Sequence, residues 1–328
     1  MIEQSFVLLD RITSGGERKI WKQGIRDWTS FKEARKILGI GQRRKSYYDL
    51  KLREYARALE NEEYVVLARF LPKSQRWRLY PYLKEKALYV DIETAQRYGD
   101  ITVLGAYDGE QYYSFVKGYN MEKELVRELF AQYSLFITFN GSSFDIPIIE
   151  RYFGSVLPED AVHVDLRHVC ARLGLHGGLK TIERILGIGR NEDVKGMCGE
   201  EAALLWHEFL LTGDEELVEL LLEYNEADCR NLEPLAAYAI DALWKQIHDA
   251  CLDAAPIRST DARRTTCVPS RMRCSERPAD EVQDDDGEEA EDAEDRRQED
   301  GPGIDNERGR DPGLDGIEGK EADDAVQR

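Results

Sequence analysis

The sequence is poor in the residues that bind zinc or form disulfides. It has six cysteines and five histidines among 328 residues. No two cysteines form a C-x-x-C pair, and no histidine has the spacing of a zinc site. The sequence therefore does not predict a zinc centre, and we interpret the cysteines as free thiols in a reducing compartment.

Long apolar runs are also missing. No segment approaches the roughly 18 consecutive apolar residues that indicate a membrane-spanning helix. The N-terminus, MIEQSFVLLDRI, has acidic residues where a signal peptide would have a basic start and an uninterrupted apolar stretch. We therefore expect a soluble cytoplasmic protein without a membrane partner.

Charge is distributed unevenly along the chain, although the net charge of the whole sequence is −19. Residues 1–86 contain 20 Lys and Arg against 11 Asp and Glu, residues 87–255 contain 13 against 30, and residues 256–328 contain 12 against 23. The overall acidity is therefore a poor guide to binding partners. A basic N-terminal region joined to an acidic remainder is a charge asymmetry that can accompany nucleic-acid binding.

The hydrophobic pattern ends at about residue 252. A basic stretch follows, and then an acidic, glycine-rich run continues to residue 328. Such a composition cannot bury enough apolar surface to offset the entropy lost on ordering the chain, so we predict a disordered tail over residues 251–328. A solubilising tail is favoured over one whose acids compete with nucleic acid for the basic N-terminal region.

The basic N-terminal region, residues 1–60, predicts several short helices. Two glycine-containing stretches, SGG at 14–16 and LGIG at 38–41, resemble the turn of a helix-hairpin-helix unit, in which backbone N–H groups approach a phosphate. We expect SGG to break the helical pattern, and LGIG, followed by Gln-Arg-Arg-Lys, is the closer match. A helical cap that packs on the main domain, with its basic residues solvated, is equally compatible with the sequence.

Residues 61–84 form a connector in which aromatic and basic residues alternate. Such interleaving can line a path for a single strand by stacking and charge. We favour the alternative in which Trp77, Tyr80 and Tyr82 pack the connector against the next domain, because buried aromatic residues dominate core contacts.

The segment 85–250 predicts an α/β domain. The run LYVDIET at 88–94 is a strand, and strands over 101–107 and 111–117 flank the turn Asp108-Gly109-Glu110. A helix over 121–133, a strand over 135–139, a helix from about 144 and the strand VHVDL follow. Helices over 177–188, 200–213 and 214–247 complete the domain, and we expect the last one to be interrupted near Pro234.

The strand at 88–94 carries two acidic residues, Asp91 and Glu93, at positions that face the same side. Leu88, Val90 and Ile92 then point the other way, into a core. Fixed negative charge on one open face is costly unless a cation binds there. Oxygen ligands at this spacing suit Mg²⁺ or Mn²⁺ better than zinc. A solvated strand edge would explain the same pair of acids.

Two later motifs add further polar groups. FITFNGSSFDIPII at 136–149 leads from a strand to Asn140 and then to Asp145 at the start of a helix. YNEADCRNL places Tyr224 and Asp228 one helical turn apart on one face. Each motif alone could be a helix cap or a solvent-facing pair. In this order, D-x-E, N-x-x-x-F-D and Y-x-x-x-D, they indicate a site of four carboxylates and one phenol.

With these motifs the sequence resembles the RNase H-like 3′–5′ exonucleases that carry a DEDD carboxylate set, in the subgroup with tyrosine. The stretch TFNGSSFDIPI is similar to that of the proofreading domains of family B DNA polymerases. WRLY in the connector, GGLK and LLEYNEADCRNL resemble the stand-alone predicted exonucleases of prokaryotes known as the YprB type. The resemblance covers about residues 60–250 and implies a mixed five-stranded sheet flanked by helices.

The resemblance also implies the chemistry of the site. Asp91, Glu93, Asp145 and Asp228 would be metal ligands, and Tyr224 would position the attacking water. Two Mg²⁺ or Mn²⁺ ions, about 3.5–4 Å apart in such sites, activate the water and stabilise charge on the leaving oxygen. Asp91 would bridge the ions, Glu93 and Asp228 would complete one site, and Asp145 would help to hold the second through water.

Three further residues have weaker claims to a role. Asn140 and Phe144 are candidates for holding the terminal nucleotide, by a hydrogen bond and by packing. Asp165, in HVDLRHV, is an acidic residue at a similar position on a strand. A structural role explains it at least as well as a role in the site.

The favoured function is a metal-dependent 3′–5′ exonuclease acting on single-stranded or frayed ends, with the N-terminal region helping to hold the nucleic acid. A structure-specific endonuclease of the same fold and a non-catalytic nucleic-acid-binding protein are the alternatives. The sequence does not distinguish DNA from RNA, because no side chain can be identified as the reader of a 2′-hydroxyl.

Overall fold

A five-stranded mixed sheet lies at the centre of the fold, in the order β3-β2-β1-β4-β5. Strand β1 is antiparallel to β2, β2 is antiparallel to β3, β1 is parallel to β4, and β4 is parallel to β5. The predicted mixed five-stranded sheet is thus confirmed. The strands are β1 (Ala87–Thr94), β2 (Ile101–Tyr107), β3 (Tyr112–Val116), β4 (Leu135–Thr138) and β5 (Val162–Asp165).

The computed structural model describes residues 1–95 and 99–252, and all of these belong to one compact unit. From residue 253 onward, the predicted disordered tail lies outside the described residues. No helix within the described ranges is long and apolar enough to cross a membrane.

Helices cover both faces of the sheet, and further helices form the N-terminal region. Short 3₁₀ helices at Ile2–Gln4, Lys73–Leu79, Lys84–Lys86 and Glu192–Val194 join them. The α-helices of the described residues are α1 (Ser14–Trp21), α2 (Trp28–Glu33), α3 (Gln42–Glu60), α4 (Tyr64–Ala68), α5 (Tyr80–Leu83), α6 (Lys123–Phe130), α7 (Asp145–Phe153), α8 (Leu166–Arg172), α9 (Leu179–Leu186), α10 (Gly199–Thr212) and α11 (Glu215–Leu252).

The two faces of β1 pack against different helices. Leu88, Val90 and Ile92 belong to a buried cluster with apolar residues of α6 and α7. Tyr89, on the opposite face, belongs to a second cluster with apolar residues of α11. Alternation along the strand therefore sends one set of side chains into a closed core and the other toward α11.

The N-terminal stretch SGG does not break a helix, contrary to the sequence prediction. Ser14-Gly15-Gly16 forms the first turn of α1, because the Thr13 side chain accepts a hydrogen bond from the Gly16 N–H and caps the helix. LGIG at 38–41 does form a turn before a helix, with Gly39 at a φ of 85° and Gly41 as the N-cap of α3.

The connector packs against the rest of the molecule, as expected. Trp77 and Tyr80 are buried, and Tyr82 is partly buried against the same core. Arg78 is also buried, with its guanidinium 2.8 Å from both carboxylate oxygens of Glu17 in α1. The connector is therefore part of the folded core.

Helix α11 continues through Pro234, so the predicted interruption is wrong. Proline removes one helical hydrogen bond and crowds the preceding turn, at a cost of about 3 kcal/mol. The buried residues on either side of it, Leu232, Leu235 and Ala236, belong to the main core cluster. Tertiary packing of this face offsets the local cost.

Candidate active site

Strand β1 presents Asp91 and Glu93 on its α11 side, as its alternation requires. Carboxylate oxygens of Asp91, Glu93 and Asp228 all lie within 4.8 Å of one another. Glu93 and Asp228 are buried, and Asp91 is partly buried. Two residues from the central strand and one from α11, more than 130 positions later in the sequence, thus form one acidic group.

Asp145 lies beside this group at the start of α7. Its Oδ1 accepts a hydrogen bond of 3.2 Å from the backbone N–H of Ile92, between the two acids of β1. The Asp145 side chain is only 3 % exposed. The fold therefore brings all four predicted carboxylates to the same end of β1.

Helix α11 approaches the sheet closely at Gly105 of β2, the register partner of Asp91. A Cβ at Gly105 would clash with the side-chain oxygen of Asn225 and would lie 2.9 Å from its Cγ. Glycine therefore makes room for Asn225, which is fully buried. The amide of Asn225 donates to Asp91 Oδ2 at 3.0 Å and accepts from the Tyr112 hydroxyl at 2.8 Å.

Burial and mutual repulsion raise the pKa values of these four acids. Burial raises the pKa of Asp91 and of Glu93 well above the ordinary values, and the neighbouring Asp228 carboxylate raises both further. Burial also raises the pKa of Asp145 to about 7. Burial raises the pKa of Asp228 as well, while Arg190 acts in the opposite direction. The positive charge near these four acids is therefore too small to offset their burial and mutual repulsion.

The donor set of this group fits a divalent cation. Its ligand atoms are carboxylate oxygens, which hard cations such as Mg²⁺ and Mn²⁺ prefer. A cation of this kind would also relieve the repulsion that raises the pKa values of the acids. Asp91, Glu93 and Asp228 are the residues that could hold it.

Arg190, between α9 and α10, supplies positive charge beside Asp228. Its guanidinium donates to Asp228 Oδ1 and, at 2.6 and 2.7 Å, to both oxygens of Glu183 in α9. Asn231 of α11 donates to Glu183 at 3.0 Å. This network fixes the Asp228 side chain and connects α9 to α11.

Lys180 of α9 contacts Tyr224. The Lys180 Nζ donates to the Tyr224 hydroxyl at 2.6 Å and also to the Met197 carbonyl oxygen. Tyr224 is buried, and burial together with the charge of Asp228 raises its pKa. The phenol is therefore neutral at neutral pH.

Comparison with known proteins finds one family match, and it covers the segment that carries these residues. Residues 88–240 match the model of the family described as the RNase_H superfamily. This segment has an RNase H-like fold. It contains the sheet, the three clustered acids, Asp145 and Tyr224.

One solved structure resembles the chain only weakly. The family B DNA polymerase from the hyperthermophilic archaeon Pyrobaculum calidifontis is 14% identical in sequence and aligns with a TM-score of 0.39. The alignment covers 52% of this chain and 26% of the polymerase, so the chain spans about a quarter of that protein's length. No curated protein matches the sequence.

Asn140 and Phe144 lie in the loop between β4 and α7 of the RNase H-like domain. Asn140 has a φ of 69°, its N–H donates to Asp165 Oδ1, and its side-chain oxygen accepts from Arg167. Phe144 is partly buried against the core on the α7 side of the sheet. Their predicted role in holding a nucleotide stays a prediction.

Asp165, the last residue of β5, holds this loop in place. Its carboxylate accepts hydrogen bonds from the backbone N–H groups of Asn140, Ser142 and Arg167, and the last of these caps α8. These bonds fix the loop between β4 and α7 to the end of β5.

Sequence reasoning missed Lys180, Glu183, Arg190 and Asn225 as members of the site. Asn225 stood within the quoted motif YNEADCRNL, next to Tyr224, and Lys180 stood in GGLK. Their positions in these motifs were the available signal. What they contact, however, depends on how α9 and α11 pack, which no local pattern specifies.

Proposed function

We propose that this protein is a metal-dependent 3′–5′ exonuclease that hydrolyses phosphodiester bonds of nucleic acid with two Mg²⁺ or Mn²⁺ ions. The observation that carries the proposal is the meeting of Asp91, Glu93 and Asp228 within 4.8 Å, with Asp145 hydrogen-bonded to the same strand. The RNase H superfamily match over 88–240 supports a nuclease. The 3′–5′ direction of cleavage rests only on the resemblance of the motifs to the DEDD exonucleases.

Each acid has a proposed place in this reaction. Asp91, Glu93 and Asp228 would hold one cation, and Asp91 and Asp145 would contribute to the second. When bound, the cations lower the pKa of a water molecule and stabilise charge on the leaving oxygen. Asn225 and Arg190 orient Asp91 and Asp228 through their hydrogen bonds.

Other residues would position the attacking water and bind the substrate. Tyr224, neutral and buried, would hold the attacking water by a hydrogen bond. Asn140 and Phe144 would hold the terminal nucleotide of a single-stranded or frayed 3′ end. Basic side chains of the N-terminal region would attract the phosphate backbone, and Arg43 and Arg44 are exposed at the start of α3.

A cleavage assay tests the proposal. The full chain is incubated with 5′-labelled single-stranded DNA and RNA of one sequence, with Mg²⁺ or Mn²⁺ and separately with a chelator. We expect a metal-dependent ladder that shortens from the 3′ end. Asp91→Asn should abolish it because a neutral amide would hold a cation far less well than a carboxylate. Asp241→Asn, on the exposed side of α11, should cleave normally.

The outcome also separates the alternatives. Discrete internal products would indicate an endonuclease of the same fold. Cleavage by Asp91→Asn at the wild-type rate would refute the metal mechanism. Binding of the labelled strands by Asp91→Asn, measured by fluorescence anisotropy at increasing salt, shows whether affinity survives without cleavage and whether it depends on phosphate contacts.

A further inference from the structure

We propose that Lys180 is a positioning residue for Tyr224: it fixes the direction in which the Tyr224 hydroxyl donates its proton. This inference rests on the proposed nuclease function, in which Tyr224 holds the attacking water. It assigns a task to the lysine of the GGLK stretch at 177–180.

The hydrogen-bond chemistry of the pair sets this direction. The Lys180 ammonium has donors and no acceptor. At 2.6 Å from the Tyr224 oxygen, it must donate, and the hydroxyl must accept. The hydroxyl proton cannot point back at Lys180 and is free for another partner. Lys180 thus makes Tyr224 a donor on the side away from α9.

The surroundings of Tyr224 show where that donor is useful. Asp228 lies one helical turn along α11, and the charges of Asp228, Glu93 and Asp91 all raise the pKa of Tyr224. These acids are the ones that would hold a cation. A hydroxyl directed toward them would donate to a water molecule that a cation in the acidic group holds.

Lys180 is held firmly enough for this task. Its Nζ also donates to the Met197 carbonyl oxygen, and it lies 4.0 Å from the centre of the Tyr224 ring. Gly177, with a φ of 116°, and Gly178 lead the chain into α9 just before it. The ammonium is therefore fixed between the loop before α10 and the phenol of α11.

A double-mutant cycle tests the inference. Single-turnover cleavage is measured for Lys180→Met, Tyr224→Phe and the double variant of the full chain. Lys180→Met should lower the rate about tenfold or more while oligonucleotide affinity changes little, the range expected for a hydrogen bond to a charged group. Lys180→Arg keeps a donor and should recover part of the rate.

The cycle distinguishes a lysine that acts through Tyr224 from one that only stabilises the packing of α9 against α11. If Lys180 acts through Tyr224, Lys180→Met causes no further loss in the Tyr224→Phe background. If the two losses multiply, or if Lys180→Met only weakens substrate binding, the inference is wrong. Lys195→Met is the matched control, because Lys195 lies in the same region, is exposed and pairs only with Glu192 among the ion pairs of the described residues.

A second readout does not depend on cleavage. With 3-fluorotyrosine at position 224, the ¹⁹F resonance should shift in Lys180→Met and stay in place in Lys195→Met. An unmoved resonance in Lys180→Met overturns the contact itself. If the wild-type protein cleaves neither DNA nor RNA, the nuclease proposal fails, and a shifted resonance still supports the contact while removing its role in hydrolysis.

Discussion

At the scale of single residues, the acidic group opposes the stability of the metal-free fold. Asp91, Glu93, Asp145 and Asp228 have raised pKa values because they are buried together. A carboxyl group whose pKa is raised on folding stabilises the native state at low pH and loses that contribution as the pH rises through its native pKa. Buried functional acids commonly lower the stability of the fold that carries them.

Asp145 allows a direct test of how a raised carboxyl pKa affects the stability of the fold. Its pKa rises from an ordinary value near 3.8 to about 7 in the fold. Its contribution to stability is therefore complete below about pH 4 and is lost between about pH 4 and pH 7. In chelator, Asp145→Asn should stabilise the protein relative to wild type, and more so at about pH 7.5 than at about pH 5. Urea unfolding at both values measures this.

The control for this prediction is Asp241→Asn, which changes an exposed carboxylate of α11. Its effect on unfolding should be similar at both pH values. Saturating Mg²⁺ or Mn²⁺ should abolish the advantage of Asp145→Asn, because bound cations stabilise the ionised acids. Equal stability of Asp145→Asn and wild type at both pH values in chelator would contradict the assigned pKa.

Asn225 is a second residue whose contacts predict a measurable effect. Its amide orients Asp91 and is itself held by Tyr112. Asn225→Ala should weaken metal binding by about tenfold, the lower end of what partners of metal ligands contribute. Calorimetric titration with Mn²⁺ measures the affinity. Asn61→Ala, at the exposed end of α3, should bind as wild type does, and unchanged affinity in Asn225→Ala would exclude this role.

At the scale of elements, α11 connects the site to the core. Its first half carries Tyr224, Asn225 and Asp228, and its second half packs Leu235 and Trp244 into the main cluster. The helix can bring Asp228 to the acids of β1 only where its backbone comes close to the sheet. Gly105 provides that closeness.

Gly105→Ala should therefore disturb the site as well as the fold. The new Cβ would lie 2.9 Å from Asn225 Cγ and 3.0 Å from Cys229 Sγ, and Asn225 is buried and hydrogen-bonded, so it cannot swing away freely. Overpacking of this kind costs about 1–3 kcal/mol. We expect reduced stability on urea unfolding together with weakened Mn²⁺ affinity.

Gly199→Ala provides the comparison for that variant. Gly199 begins α10, and an added Cβ there meets no atom within 4 Å. Its stability and Mn²⁺ affinity should stay near the wild-type values. If Gly105→Ala also binds Mn²⁺ normally, the close approach at β2 is not needed to assemble the acids.

At the scale of the whole molecule, the basic N-terminal region and the RNase H-like domain share one core. Trp244 of α11 lies with its ring centre 6.0 Å from that of Trp21 in α1 and 6.5 Å from that of Trp77 in the connector. The buried pair of Arg78 and Glu17 joins the connector to α1 at the same place. The region that we propose to hold nucleic acid is thus fixed to the domain that would cleave it.

Arg78→Met should be strongly destabilising, because it leaves Glu17 buried without its cation. Removing one partner of a buried pair costs about 3–5 kcal/mol. Arg78→Met with Glu17→Gln should recover part of that loss. Urea unfolding of the single and double variants measures both, with Lys51→Met, at a partly exposed lysine, as a control expected to have little effect. A loss for Arg78→Met no larger than for Lys51→Met would contradict the prediction.

Local patterns in the sequence determined much of this protein. Alternation in LYVDIET placed Asp91 and Glu93 on one face, because side chains on a strand alternate whatever the fold around them. The turn Asp108-Gly109-Glu110 likewise predicted the hairpin of β2 and β3, and the segment 214–247 was predicted as the helix that carries Tyr224 and Asp228. These features depend on residues near one another in the chain.

Only the tertiary structure decided which distant residues join the acids. Asn225 reaches Asp91 because Gly105 lets α11 approach the sheet, and Arg190 and Lys180 enter through the packing of α9 on α11. The same packing keeps α11 continuous through Pro234. Local propensity is worth at most a few kcal/mol at such a position, and burial against the rest of the chain outweighs it.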